Sequence, residues 1–117
     1  MPHFVIEHSE PIEPTPDFAR VMEELCSAAA NTGVMHKPDI KLRVIPCAQF
    51  QLNDGSTSFL HLTVSMLEGR TGGQKEALAI ACRHVLVSTC PQIDAISVDI
   101  RDMNAVAYKK RVRLQNL

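Results

Sequence analysis

The sequence predicts an α+β fold of order β-α-β-β-α-β, in which two βαβ units form a four-stranded sheet with two helices packed on one face. Three observations carry that prediction. Short apolar or alternating segments, the mark of strands, recur at residues 4–6, 40–52, 58–67 and 94–101. Two longer stretches, 16–32 and 74–90, place apolar residues at helical spacing. The halves, about 2–53 and 58–102, share one plan at an offset of about 55 residues: Phe4-Val5-Ile6 answers Phe59-Leu60 and Leu62, Thr15 answers Thr71, and Ile40 answers Ile96. All 117 residues are expected to form a single domain, with a C-terminal tail at about 103–117.

Each element has its local reason. Phe4, Val5 and Ile6 read as a short buried strand. Pro11, Pro14 and Pro16 make residues 9–16 a loop. Thr15-Pro16 supplies an N-cap followed by proline at the first helical position. Phe18, Val21, Met22, Leu25 and Ala29 then line one helical face, and Gly33 suits the stop. In the second strand Ile40, Leu42 and Val44 face one way and Lys41 and Arg43 the other, while Pro46 calls for a bulge or an edge position. Asn53-Asp54-Gly55-Ser56 is a turn. The third strand is largely apolar, with His61 in its middle. The second helix follows the loop 68–73. Ala77, Leu78, Ala81, Cys82, Val85, Leu86 and Thr89 form its apolar face, Ile80 and Val87 widen it, and Pro91 ends it. Ile96, Val98 and Ile100 alternate with Ser97, Asp99 and Arg101 in the fourth strand. The tail is basic, with Lys109, Lys110, Arg111 and Arg113. Order alone fits a ferredoxin-like domain as well as other four-stranded α+β sandwiches. In either, the sheet face without helices needs cover, which points to an oligomer.

Composition narrows the function. Apolar residues make up 45% of the chain, as in globular proteins, and the formal net charge is −1. Nucleic acid and anionic membrane therefore lack the global attraction they usually need. No apolar run is long enough to span a membrane, and no basic region with an apolar segment opens the chain, so a cytoplasmic protein is expected. Cys82 and Cys90 would lie two turns apart on one helix, roughly 12 Å by helical rise, too far to bridge. With Cys26 and Cys47 they read as small core residues without a base partner. The five histidines lack metal-ligand spacing, so no metal is expected. His3 and His61 read as satisfied, partly buried histidines, with a place in the pocket lining or a subunit contact as the alternative.

The first residues carry the sharpest chemical possibility. Loss of Met1, expected when the second residue is as small as proline, would leave Pro2 as a secondary amine anchored at a sheet edge. A terminal amine titrates near 7.7–8.0, and burial or a nearby cation lowers that value. An amine that is neutral near pH 7 can act as a general base.

Met1-Pro2-His3-Phe4-Val5-Ile6-Glu7, Ala29-Ala30-Asn31-Thr32-Gly33, Ile40-Lys41-Leu42-Arg43-Val44, Asp54-Gly55 and the stretch from His61-Leu62-Thr63 to Gly69-Arg70 resemble, in this order, the 5-carboxymethyl-2-hydroxymuconate isomerase family. The likeness weakens after Pro91, where Met103-Asn104 and Tyr108-Lys109 can still be matched. The resemblance implies the tautomerase superfamily: a tautomerase-like fold, a homotrimer, and a cofactor-free isomerase of bacterial homoprotocatechuate breakdown. It implies Pro2 as the catalytic proline and Arg70 as a substrate-binding arginine. Lys41 stands where the family usually has arginine, so the charge is kept and the planar two-pronged fit to a carboxylate is lost. Arg43, two residues on and on the same strand face, could share the work. Cations in such a pocket would bind a carboxylate substrate, stabilise a developing dienolate and lower the pKa of the amine. The rival readings are another tautomerase-superfamily activity on a different enol or unsaturated acid, and a non-catalytic α+β ligand-binding module.

Overall fold

A computed structural model describes residues 1–113; of the expected tail, positions 114–117 lie outside the described residues. The strands are β1 (His3–Ser9), β2 (Lys41–Cys47), β3 (Phe59–Leu67) and β4 (Ala95–Met103); the helices are α1 (Phe18–Asn31) and α2 (Gly72–Thr89). One sheet runs in the order β2-β1-β3-β4. β1 and β2 are parallel, β3 and β4 are parallel, and the two pairs meet antiparallel at β1 and β3. This is the expected architecture of two βαβ units side by side.

Strand alternation decides which face is covered. Phe4, Ile6, Leu60, Leu62 and Val64 are fully buried, and they join Val21, Leu25 and Ala29 of α1 and Leu78, Cys82 and Leu86 of α2 in one core cluster. Both helices therefore cover the same sheet face. The side chains between these positions, His3, Val5, His61, Thr63 and Ser65, are only partly buried. Among the described residues that second face has no helical layer.

Several boundaries move from the sequence expectation. Helix α1 starts at Phe18, capped by Asp17 rather than Thr15. The Asp17 carboxylate accepts the Arg20 N–H at 3.2 Å, while the Thr15 hydroxyl donates to the Ile12 carbonyl. A carboxylate at this position satisfies an orphan helix donor and favours the positive end of the helix dipole. Helix α2 starts two residues early, at Gly72. Thr71 Oγ1 accepts the Gln74 N–H and Gln74 Oε1 accepts the Thr71 N–H, at 3.1 and 2.9 Å. This reciprocal box holds Gly72 and Gly73 in the first turn despite their weak helix propensity. Its apolar stripe is narrower than expected: Ala77, Ile80 and Val87 are exposed, because they rotate off the line of Leu78, Cys82 and Leu86. Strand β2 stops at Cys47 rather than residue 52, just after Pro46, and it is an edge strand as Pro46 required. Strand β4 runs on to Met103, pairing Met66 and Leu67 of β3 with Asp102 and Met103.

The start of the tail is folded against the sheet. Ala107 and Tyr108 donate their N–H groups to the Asn104 carbonyl, and Ala105 N–H reaches the Glu68 carboxylate at 2.9 Å. No helix among the described residues is long and apolar enough to cross a membrane.

Candidate active site

The topology gathers a cavity at the amino end of β1. Because β2 runs parallel to β1, the turn leading into β2 lies beside Pro2. Because β3 runs antiparallel, its final residues and the loop after it lie there too. Lys41 N–H donates to the Pro2 carbonyl at 3.0 Å, which ties the start of β2 to Pro2. The resulting cavity has a volume of about 170 Å³. Met1 and Pro2 line it from β1, residues 33–36 and Asp39 from the connection between α1 and β2, Met66 and Leu67 from β3, and Arg70 from the following loop.

Two glycines make this geometry accessible. Gly33 ends α1 at φ +78 and donates to the Ala30 carbonyl, so the chain leaves the helix toward Pro2. Gly69, at φ +122, turns the chain after β3 and delivers Arg70 to the cavity. Arg70 is half-buried. Its Nη1 donates to the Leu67 carbonyl at 3.0 Å and its Nη2 to the Val34 carbonyl at 3.2 Å. The guanidinium thus ties the two walls of the cavity together, and its remaining N–H groups have no hydrogen-bond partner among the described residues.

The four sequence-predicted site residues divide. Pro2, buried, and Arg70 share the cavity. Lys41 and Arg43 do not line it; they are exposed on the sheet face away from the helices. There Arg43 Nη1 donates to His3 Nδ1 at 3.2 Å, and His3 Nε2 meets the Tyr108 hydroxyl at 3.0 Å. A guanidinium only donates, so Nδ1 accepts. The neutral ring then carries its proton on Nε2 and donates it to Tyr108. Partial burial first, then Arg43, the amino terminus and Lys41, hold the His3 pKa below its ordinary value. His61 is likewise satisfied, with Nδ1 2.6 Å from the Ser97 hydroxyl.

Sequence reading passed over the connection 33–39, treating Met35-His36-Lys37-Pro38-Asp39 as a plain loop. The signal was available in the βαβ pattern, since a parallel partner's lead-in must lie beside the start of the first strand. The placement of Tyr108 against His3 had no such signal. The four cysteines are free thiols outside the cavity lining, and burial pushes Cys82 up to about 12. Chemically, the cavity offers a secondary amine once Met1 is gone, a guanidinium for an anion, and apolar walls from Val34, Met35 and Met66.

Comparison with known proteins gives this arrangement a context. The sequence model of the family described as 5-carboxymethyl-2-hydroxymuconate isomerase matches residues 2–116. No curated protein sequence matches the chain. Among solved structures, a 5-carboxymethyl-2-hydroxymuconate isomerase from Deinococcus radiodurans R1 is similar at a TM-score of 0.74 and 18% identity, over 96% of this chain and 90% of that one. A 5-carboxymethyl-2-hydroxymuconate delta-isomerase is similar at 0.72 and 20% identity, over 97% and 89% of the two chains. A fused 4-OT wild-type symmetric trimer is similar at 0.74 and 14% identity, over 97% and 92%. At these identities the structural likeness speaks to the fold.

Proposed function

From the premise that this chain belongs to the 5-carboxymethyl-2-hydroxymuconate isomerase family, and is an isomerase of the tautomerase superfamily with its fold, we propose that it moves a proton between carbons of an unsaturated keto or enol dicarboxylic acid, with Pro2 as general base. The observation that carries this reading is the shared cavity of Pro2 and Arg70. Met1 lines the same cavity, so its removal both creates the amine and enlarges the space for a substrate.

In the carbon-to-carbon transfer Pro2 nitrogen takes a proton from one carbon, the electron pair moves into the conjugated system as a dienolate, and the proton returns to a second carbon; starting from a dienol, the proton taken is that of the hydroxyl group, the same dienolate forms, and protonation at carbon leaves the ketone. The reaction is balanced within the substrate and the amine, and it calls for no cofactor. Arg70 holds a carboxylate and stabilises the negative charge that spreads through the dienolate. The substrate class is supported by this arginine and by the family; 5-carboxymethyl-2-hydroxymuconate itself, an intermediate of aromatic-compound catabolism, is the substrate the family description suggests.

The active form is a homotrimer in this reading. The trimeric 4-OT relative and the uncovered sheet face support it. Lys41 and Arg43 lie on that uncovered face, so their part in holding a carboxylate rests on a cavity completed by a neighbouring copy.

The test begins with the intact mass of protein carrying no amino-terminal tag, followed by ketonisation of a 2-hydroxymuconate-type dienol on the same sample. The expected result is a mass short by one methionine. Activity should fall by about 10² to 10⁴ in Pro2→Ala, the usual contribution of a positioned base. Retained Met1 in an active sample, or an active Pro2→Ala variant, would overturn the mechanism.

A further inference from the structure

Asp39 is the only acidic residue among those lining the cavity, and neither the proton transfer nor the binding of a carboxylate substrate uses it. The paired register of β1 and β2 begins at His3 and Lys41, and Asp39 closes the short turn just before it, where it lines the same cavity as Met1 and Pro2. The bond from Lys41 N–H to the Pro2 carbonyl, 3.0 Å long, holds the two segments together at that point. The Asp39 backbone is fixed as well, since its N–H donates to the His36 carbonyl at 3.0 Å within a short 3-10 turn, Lys37–Asp39. The Asp39 carboxylate has no ion-pair partner among the described residues.

We infer that Asp39 is a positioning residue for the proton on the Pro2 amine, its carboxylate facing the place Met1 vacates and stabilising the protonated amine. The inference rests on the reading of Pro2 as the base. The charged and titratable groups around Pro2 are His3 on β1, His36 and Asp39 in the lead-in to β2, Lys41 on β2, and Arg70 after β3. Arg70 and Lys41 both favour a neutral amine. Asp39 alone opposes them. A base that must also return its proton works best when its pKa lies near the working pH, so an opposing charge has a use. A carboxylate about 6 Å from an amine raises it by about 0.5 to 1 pH unit at an effective dielectric between about 40 and 80, the range suited to an exposed side chain such as Asp39.

The experiment uses the full chain, with loss of Met1 verified by mass and with nitrogen-15 in its prolines. The Pro2 amine is titrated by NMR in the native protein, in Asp39→Asn and in Asp39→Glu. Asp39→Asn is expected to lower the midpoint by about 0.5 to 1 pH unit, with Asp39→Glu restoring most of it. The acidic limb of kcat/KM on the dienol should move down by the same amount. A midpoint that stays in place in Asp39→Asn overturns the inference, whatever happens to activity. An active Pro2→Ala variant instead overturns the base reading, and the two failures are read from different samples.

Discussion

His3 makes two hydrogen bonds that only its neutral state permits together. Arg43 donates to Nδ1, so a proton placed there would remove the acceptor and set a second positive charge beside the guanidinium. Partial burial, Arg43, the amino terminus and Lys41 accordingly lower its pKa from the usual 6.5. The unfolded chain then binds a proton on this ring more readily than the folded one. The stability contributed by neutral His3 is fully present above about pH 6.5 and is lost as pH falls through the lowered folded value. The chain has one tyrosine and no tryptophan, so Tyr108 is the main fluorescent reporter of this contact. Acid titration of the native protein should show a step in tyrosine emission with its midpoint below 6.5, and the step should vanish in His3→Ala. A step that persists in that variant would mean that the Tyr108 contact does not respond to His3.

At the scale of elements, the amino end of α2 is the part of the fold most closely tied to the site. The box between Thr71 and Gln74 places the helix cap at the residue after Arg70, so the cap that fixes the helix also fixes the loop that carries the guanidinium. Thr71→Ala removes the side-chain acceptor and should destabilise the protein by about 1 kcal/mol, within a range of about 0.5 to 2. For a chain of this size that corresponds to a fall in Tm of about 4 °C. Thermal denaturation measures it, and native and variant need equal protein concentrations because any oligomer makes Tm depend on concentration. An unchanged Tm would mean the helix start is held by packing of Leu78 and its neighbours rather than by the cap.

Among the described residues the molecule is one sheet with both helices on one side. Val5 of β1 lies at the middle of the uncovered face, aligned with Arg43 of β2 and Thr63 of β3. In the proposed trimer this face is an interface between copies. Light scattering should give three times the mass of the chain, and Val5→Arg, which adds bulk and a charge next to Arg43, should shift the mass toward that of one chain. A native protein that scatters as a single chain would remove the trimer from the proposal, and with it the part assigned to Lys41 and Arg43.

Strand alternation, helical spacing and turn residues are local properties, and they determined the order of elements, the two faces of β2 and its restriction by Pro46 to a bulge or an edge position; which residues of β1 and β3 face the helices took the tertiary structure, which leaves Val5 only partly buried. The resemblance around Met1-Pro2 and Gly69-Arg70 pointed to the family before any coordinates. Helix starts were less legible, because Asp17 and Thr15 compete as caps of α1, and the box between Thr71 and Gln74 that draws Gly72 and Gly73 into α2 is settled only by side-chain geometry. The grouping of site residues was a matter for tertiary structure. Pro2, Asp39 and Arg70 are 31 or more residues apart from one another. They meet because a parallel neighbour begins, and an antiparallel neighbour ends, where β1 starts. Alternation within β2 already set Lys41 and Arg43 apart from Ile40, Leu42 and Val44, but only the pairing of β1 with β2 shows that the cavity lined by Pro2 lies away from them.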